Sequence, residues 1–216
     1  MQRVRIFTAG TVAGFIFFAG FWWLGTYVSA HPEPPALWAF AQAVRGQAIG
    51  LAWILTSAGF GYVLTPLYVA CIVFGIVNRP WRARAFFTVA AALVSWIGGD
   101  RLQHFFHRPR RGDWLIQHVH AFSYPSTHAS ISTDFYFLWG LLLLRSNLAP
   151  AVRYGGFAFL TAFTLGIMWS RLALAAHYPT DVIGGACLGL AIILLGERIL
   201  TAGGGRLGES SEPARK

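Results

Sequence analysis

Three short polar stretches interrupt an otherwise apolar chain: RLQHFFHRP at 101–109, YPSTH at 124–128 and SRLALAAHYPTD at 170–181. Their residue types suit the transfer of a phosphoryl group. Arginine forks match phosphate oxygens in a bidentate way, and a serine hydroxyl with the N–H groups at a helix start adds further anion donors. Arg101, Arg108, Arg171, Ser126 and the amides near Thr127 and His128 are therefore a candidate phosphate cradle. Arg101 and Arg108 are seven residues apart, about two turns of a continuous helix, so both guanidinium groups are expected to point the same way. His177 and Asp181 are four apart. If helix begins there, the carboxylate reaches one ring nitrogen and leaves the other as a nucleophile with a fixed tautomer. His128 is then placed to protonate the leaving oxygen and later to activate water.

The elements that must position these groups are apolar segments. Six can be drawn, Ile6 to Tyr27, Ile49 to Val77, Ala85 to Phe105, His128 to Leu144, Tyr154 to Trp169 and Tyr178 to Leu195. Runs of about 20 apolar residues are long enough to cross the bilayer as helices. The second segment is longer and holds Pro66, which predicts that it is tilted or kinked. Arg3, Arg5, Arg79, Arg82, Arg84, Arg145, Arg153 and Arg198 fall at one set of segment ends, which the positive-inside rule makes cytoplasmic. Residues 28–48, 106–127 and 170–177 are then outward loops, so the three polar stretches meet at the outer ends of helices 3 to 6. The middle loop carries Arg108, Arg110 and Arg111 against the rule, and that exception asks for a functional cause.

Composition agrees with this reading. The 216 residues are 56% hydrophobic and 12% charged, with 18 Phe and 9 Trp, far more apolar than an average soluble domain. A soluble helical domain needs a charged outer face on each helix, and most segments here have none. The expected fold class is all-α, a polytopic membrane bundle of six transmembrane helices over residues 1–200, followed by a disordered cytoplasmic tail at 201–216. The net charge of +9 comes almost wholly from Arg, with Lys216 the only lysine. Because these cations sit at segment ends, where they set topology and meet lipid phosphates, nucleic acid is not an expected partner. Cys71 and Cys187 lie in apolar segments and make neither a disulfide framework nor a metal motif. The N-terminal run before VSA and His31 also has features of a secretory signal peptide, but it exceeds the usual length of about 7–15 residues, so a retained helix is expected.

The ordered stretches resemble the phosphatidic acid phosphatase type 2 superfamily, marked by K-x6-R-P, P-S-G-H and S-R-x5-H-x3-D. The third motif is complete in Ser170, Arg171, His177 and Asp181; Pro125, Ser126 and His128 meet the second; Arg108 and Pro109 meet the first. Arg101 stands where the pattern has Lys and Thr127 where it has Gly. The first exchange keeps charge but alters reach, and the second adds a β-branched side chain where Gly lets phosphate approach the backbone. The resemblance implies that His177 attacks phosphorus, Asp181 supports it, His128 is the acid, and Arg101, Arg108, Ser126 and Arg171 bind phosphate, without a metal or cofactor. The expected substrate is a membrane lipid phosphate or diphosphate, first undecaprenyl diphosphate, then phosphatidylglycerol phosphate or lipid A 1-phosphate. The expected setting is a bacterial inner membrane with the site facing the periplasm. A vanadium haloperoxidase uses the same cradle but is soluble and larger. A transporter or lipid-binding protein with a cationic outer pocket explains the arginines but not the ordered His128, His177 and Asp181.

Other residues carry plainer readings. Arg110 and Arg111 read equally well as functional cations and as topology signals or lipid-headgroup anchors. His104, His107, His118 and His120 have chance spacings and no carboxylate cluster, so a metal role is not expected. Asp134, about two turns into the fourth helix, either serves a site residue or partners another helix. Asp100 is expected to pair with Arg101. Gly98, Gly99 and the Gly185-x-x-x-Gly189 spacing read as close helix packing.

Overall fold

The computed structural model describes residues 2–115 and 122–202, with side chains over 9–115 and 122–198. His118, His120 and residues 203–216 of the expected tail lie outside the described residues. The regular structure of the described residues is all helical, without strands: α1 (Gln2–Ala30), α2 (Pro35–Val44), α3 (Ile49–Ser57), α4 (Gly61–Val77), α5 (Arg82–Phe106), α6 (Thr127–Ser132), α7 (Leu138–Leu144), α8 (Pro150–Ala173) and α9 (Pro179–Ala202). A 3-10 turn at Arg79–Trp81 leads into α5, and a π turn at Thr133–Phe137 joins α6 to α7. The all-α membrane bundle expected from composition is the fold observed. Among the described residues four helices are long and apolar enough to cross a membrane, or five if the bent α3–α4 pair is one span. A count of six remains a proposal, with α6, the π turn and α7 as the further crossing.

The second segment is bent, as expected: the chain turns by 42° between α3 and α4, with the break at residues 58–60 and not at Pro66, which α4 runs through. The break has a packing cause: a Cβ on Gly59 would collide with Cδ2 of His128, so the main chain itself backs the ring. Phe60 stands edge-on to the same ring at 5.0 Å, and the Ala58 carbonyl accepts a 2.8 Å bond from the Tyr136 hydroxyl. The first outer loop is not irregular, since its apolar PALWAFAQAV forms α2, started by Pro35 at a position that needs no N–H.

Helix α9 is the axis of the bundle, with α1 laid along it on one side and α6 on another. The glycine spacing makes this possible. A Cβ on Gly185 would run into the Ser126 carbonyl oxygen, and one on Gly189 would come 2.7 Å from the Thr133 Cβ. Tyr124 fastens α1 to the same region: its hydroxyl donates to the Phe21 carbonyl at 2.5 Å, and its ring stacks on Phe21 at 5.6 Å. Gly99 makes room for the Thr127 methyl, 2.7 Å from where its own Cβ would be. The β-branched residue at the motif's glycine position is thus accommodated by a glycine on α5.

Gly185→Ala is expected to destabilise the protein by about 1–3 kcal/mol or more, because backbone must move. Gly98, with open space around it, is expected to accept Ala with an unchanged or raised Tm. Thermal unfolding of both variants in detergent checks the contrast, and equal effects would refute the close-approach account.

Candidate active site

The site assembles where α5 ends, α6 begins, α8 ends and α9 begins. Each terminus has a local cause. Helix α5 stops at Phe106 because His107 is left-handed (φ 52°). Helix α8 stops in a turn through Ala175 (φ 54°), with the Ala176 N–H returned to the Arg171 carbonyl at 2.9 Å. The next residue is His177. Three backbone bonds then hold the segments together: Ser123 N–H to the Arg108 carbonyl at 2.8 Å, Ser126 N–H to the Asp181 carbonyl at 3.0 Å, and Leu115 N–H to the Leu174 carbonyl at 3.0 Å.

His177 is buried and held from its Nδ1 side. Nδ1 lies 2.9 Å from the Ser123 carbonyl oxygen and 3.3 Å from Asp181 Oδ2. A carbonyl oxygen only accepts, so Nδ1 carries the proton and Nε2 keeps its lone pair, towards which Arg110 Nη1 donates at 3.4 Å. The expected His177–Asp181 pairing is present, but the carbonyl is the nearer partner, and a main-chain group leaves no signal of such a role in the sequence. Asp181 is engaged on every side, by the Ser123 hydroxyl, by the Tyr178 N–H at 2.9 Å and by Arg108 Nη1 at 2.5 Å. Burial, then the charge of Arg110, pushes the His177 imidazole down to about 3.

Arg108 is buried and divided between two carboxylates. Nη1 donates to Asp181 Oδ1 and to Thr180 Oγ1 (2.7 Å), Nη2 donates to Glu33 Oε2 at 2.7 Å, and the guanidinium lies 4.2 Å from the Tyr178 ring centre. Burial alone would lower its pKa, but Asp181 and Glu33 hold it above the ordinary arginine value. Glu33 also accepts from the Thr180 N–H at 3.1 Å and from the Thr180 hydroxyl at 2.5 Å. It sits between α1 and α2, far from any motif, and only its rarity as an acid in a basic chain marked it.

Arg171 donates to Thr56 Oγ1 at 2.5 Å, so α3 supplies a second unforeseen partner. Arg110 Nη1 donates to the Ala176 carbonyl at 3.1 Å and lies 3.4 Å from His177 Nε2. Burial lowers the Arg110 guanidinium below its ordinary value, and the Asp181 charge partly restores it. His128 is buried, takes a hydrogen bond with the Thr56 backbone, and feels the charges of Arg171 and Arg110 and the His177 ring. Ser126 Oγ, His128 Nε2 and Arg171 Nε are buried without a partner among the described residues. These three polar atoms, two of them donors and one able to exchange a proton, suit an anionic ligand.

Arg101 departs from the expectation. It is exposed, with no hydrogen bond or ion pair among the described residues, because the left-handed turn at His107 breaks the helix on which the seven-residue spacing with Arg108 depended. Asp100 is exposed and does not pair with Arg101, since adjacent helix positions diverge by about 100°. Arg111 is neither topology signal nor headgroup anchor: it is buried, forks onto Asp113 at 2.9 and 2.8 Å and lies 4.8 Å from the Trp38 ring centre. Asp134 accepts from the Ser95 hydroxyl of α5, so it partners another helix rather than the site. Among the described residues no three His, Cys, Asp or Glu side chains gather as a metal site.

The PAP2 superfamily model matches residues 103–202, from the last turn of α5 through α9, which is the region holding these groups. The match covers just under half of the chain, and a likeness of fold extends beyond it. A crystal structure of a transmembrane PAP2-type phosphatidylglycerolphosphate phosphatase from Bacillus subtilis is similar with a TM-score of 0.71 and 19% identity, covering 88% of this chain and 96% of that one. A search of curated proteins gives no match. Fold and apolar helices together mark a multi-pass membrane protein.

Glu33→Ala leaves buried Arg108 with one carboxylate and is expected to cost about 3–5 kcal/mol. Glu33→Gln, which keeps an acceptor for Thr180, is expected to cost less; chemical unfolding in detergent measures both. Because the His177 pKa is depressed, its ring stays neutral until the pH falls through about 3. In 15N-histidine NMR the signal lost in His177→Asn is expected to be that of a neutral ring at about pH 5, where an ordinary exposed imidazole is protonated. A charged ring at that pH would overturn the assignment.

Proposed function

We propose that this protein removes the terminal phosphate of a membrane lipid phosphate or diphosphate at the outer face of a bacterial inner membrane, through a phosphohistidine intermediate and without a metal. The observation that carries the reading is the set of buried atoms without a partner among the described residues, Ser126 Oγ, His128 Nε2 and Arg171 Nε, clustered with a histidine whose unprotonated Nε2 is met by Arg110 Nη1 at 3.4 Å. A neutral imidazole fixed by its other nitrogen is a nucleophile, and buried N–H and O–H donors without partners are preorganised for oxyanions. A binding or transport protein needs the cations but not the oriented imidazole.

The proposed steps balance as a double displacement. His177 Nε2 forms a bond to phosphorus as the bond from phosphorus to the leaving oxygen breaks, and His128 gives that oxygen a proton. A water then attacks phosphorus, passes a proton to His128, and the P–N bond breaks to release phosphate. Arg171, Arg108, Ser126 and the amides at Thr127 and His128 are the proposed stabilisers of the developing charge. Asp181 and the Ser123 carbonyl stabilise the charge that His177 gains on attack.

Undecaprenyl diphosphate is the substrate we propose. Phosphatidylglycerol phosphate, after which the similar Bacillus subtilis phosphatase is called, is the second reading, with lipid A 1-phosphate after it. Phosphate release from a panel of these lipids by the purified protein orders them. Hydrolysis is expected to persist in chelator, to be inhibited by vanadate, and to fall by about 10⁴-fold or more in His177→Ala. Full activity in His177→Ala would refute the mechanism, and loss in chelator would restore a metal.

A further inference from the structure

We propose that Arg110 is a direct ligand of the phosphoryl group that His177 attacks, taking the cationic place that the motif pattern assigns to Arg101. The inference rests on the phosphatase reading above. It begins with the geometry at Nε2. Nδ1 is committed to Ser123 and Asp181, so phosphorus must arrive at Nε2. Reacting atoms meet at about 3–3.5 Å in a productive complex. Arg110 Nη1 already stands 3.4 Å from that nitrogen, so a phosphoryl group in line with the ring must bring its oxygens into the reach of this guanidinium.

The anchoring is equally specific. Arg110 Nη1 donates to the carbonyl of Ala176, the residue before the nucleophile, so the cation and the imidazole are held by one turn of chain. A guanidinium presents five N–H groups in a planar fork, so it can meet a phosphate oxygen while keeping the carbonyl contact. The charge of Arg110 acts on His128, Arg171 and His177 and is itself felt from Asp181, whereas Arg101 is exposed on α5.

The charge balance gives the reason a third cation is required. Arg108 is gripped by two carboxylates, Glu33 and Asp181, both buried with it. Its positive charge is already compensated. Without Arg110, a phosphate of charge near −2 would meet Arg108, whose charge is offset by its two carboxylates, and Arg171 alone beside it among the described residues of the cluster. Arg110 brings the cationic charge to a level that matches the ligand, in a buried setting where such matching governs transition-state stabilisation. The position also explains why an arginine occurs in an outward loop where topology does not call for one.

The test uses the full-length protein in detergent or nanodiscs, with the lipid phosphate on which wild type is active and orthovanadate as the probe of the phosphate site. Arg110→Ala is expected to lower kcat/KM by roughly 10²–10³-fold and to weaken vanadate inhibition at least about tenfold, with Arg110→Lys recovering part of both. Arg101→Ala is expected to lose less than Arg110→Ala on both measures. Arg110→Gln, which keeps a polar side chain for the Ala176 carbonyl, separates loss of charge from loss of the turn: it should show the same weakened vanadate inhibition with an unchanged Tm. Wild-type vanadate inhibition in Arg110→Gln would assign Arg110 a purely structural role and overturn the proposal, as would a larger loss in Arg101→Ala. If wild type releases no phosphate from any lipid phosphate, the phosphatase reading itself fails. An active wild type beside an equally active Arg110→Ala defeats this inference alone.

Discussion

A guanidinium buried near a bilayer must be paired, and the pairing of Arg108 organises this protein. One cation ties together three parts of the chain that are remote in sequence: Glu33 between α1 and α2, Arg108 beyond the end of α5, and Asp181 at the start of α9. Removing charge from water costs several kcal/mol per ion even after relaxation, so the three segments have little freedom to part. Asp181, held by Arg108 on one oxygen, turns the other to Ser123, Tyr178 and His177. The orientation of the His177 ring is therefore a consequence of how one charge is neutralised.

A second constraint acts through the absence of side chains. The helix break at 58–60 brings Gly59 against the His128 ring, and the Thr56 backbone and hydroxyl serve His128 and Arg171. Gly185 and Gly189 let α9 approach the backbone around Ser126 and Ser130. Small residues in membrane helices permit such approach, and packing rather than hydrophobic transfer holds the helices there. The buried polar atoms left without protein partners sit within this tightly backed shell.

Much of this was legible from sequence for identifiable reasons. His177 and Asp181 are four residues apart at a helix start, and local geometry alone brings them together. Arg171, Ser126 and His128 carry chemistry that an apolar helix end does not otherwise need. Arg101 misled because its spacing to Arg108 presumed a continuous helix, and a single left-handed residue at His107 ended it. Glu33 and Thr56 lie in elements without motif residues, so nothing local related them to the site. Arg110 and Arg111 are adjacent and alike in sequence, yet one faces the His177 ring and the other locks onto Asp113.

By itself the sequence determined the class of fold and picked out His177 and Asp181 as neighbours, because length, hydropathy and short-range spacing are local properties. Tertiary structure alone decided which cations are buried around His177 and which of them are gripped by carboxylates. That division depends on where helices stop and on charge pairing across segments distant in the chain, and neither is encoded in any one stretch of it.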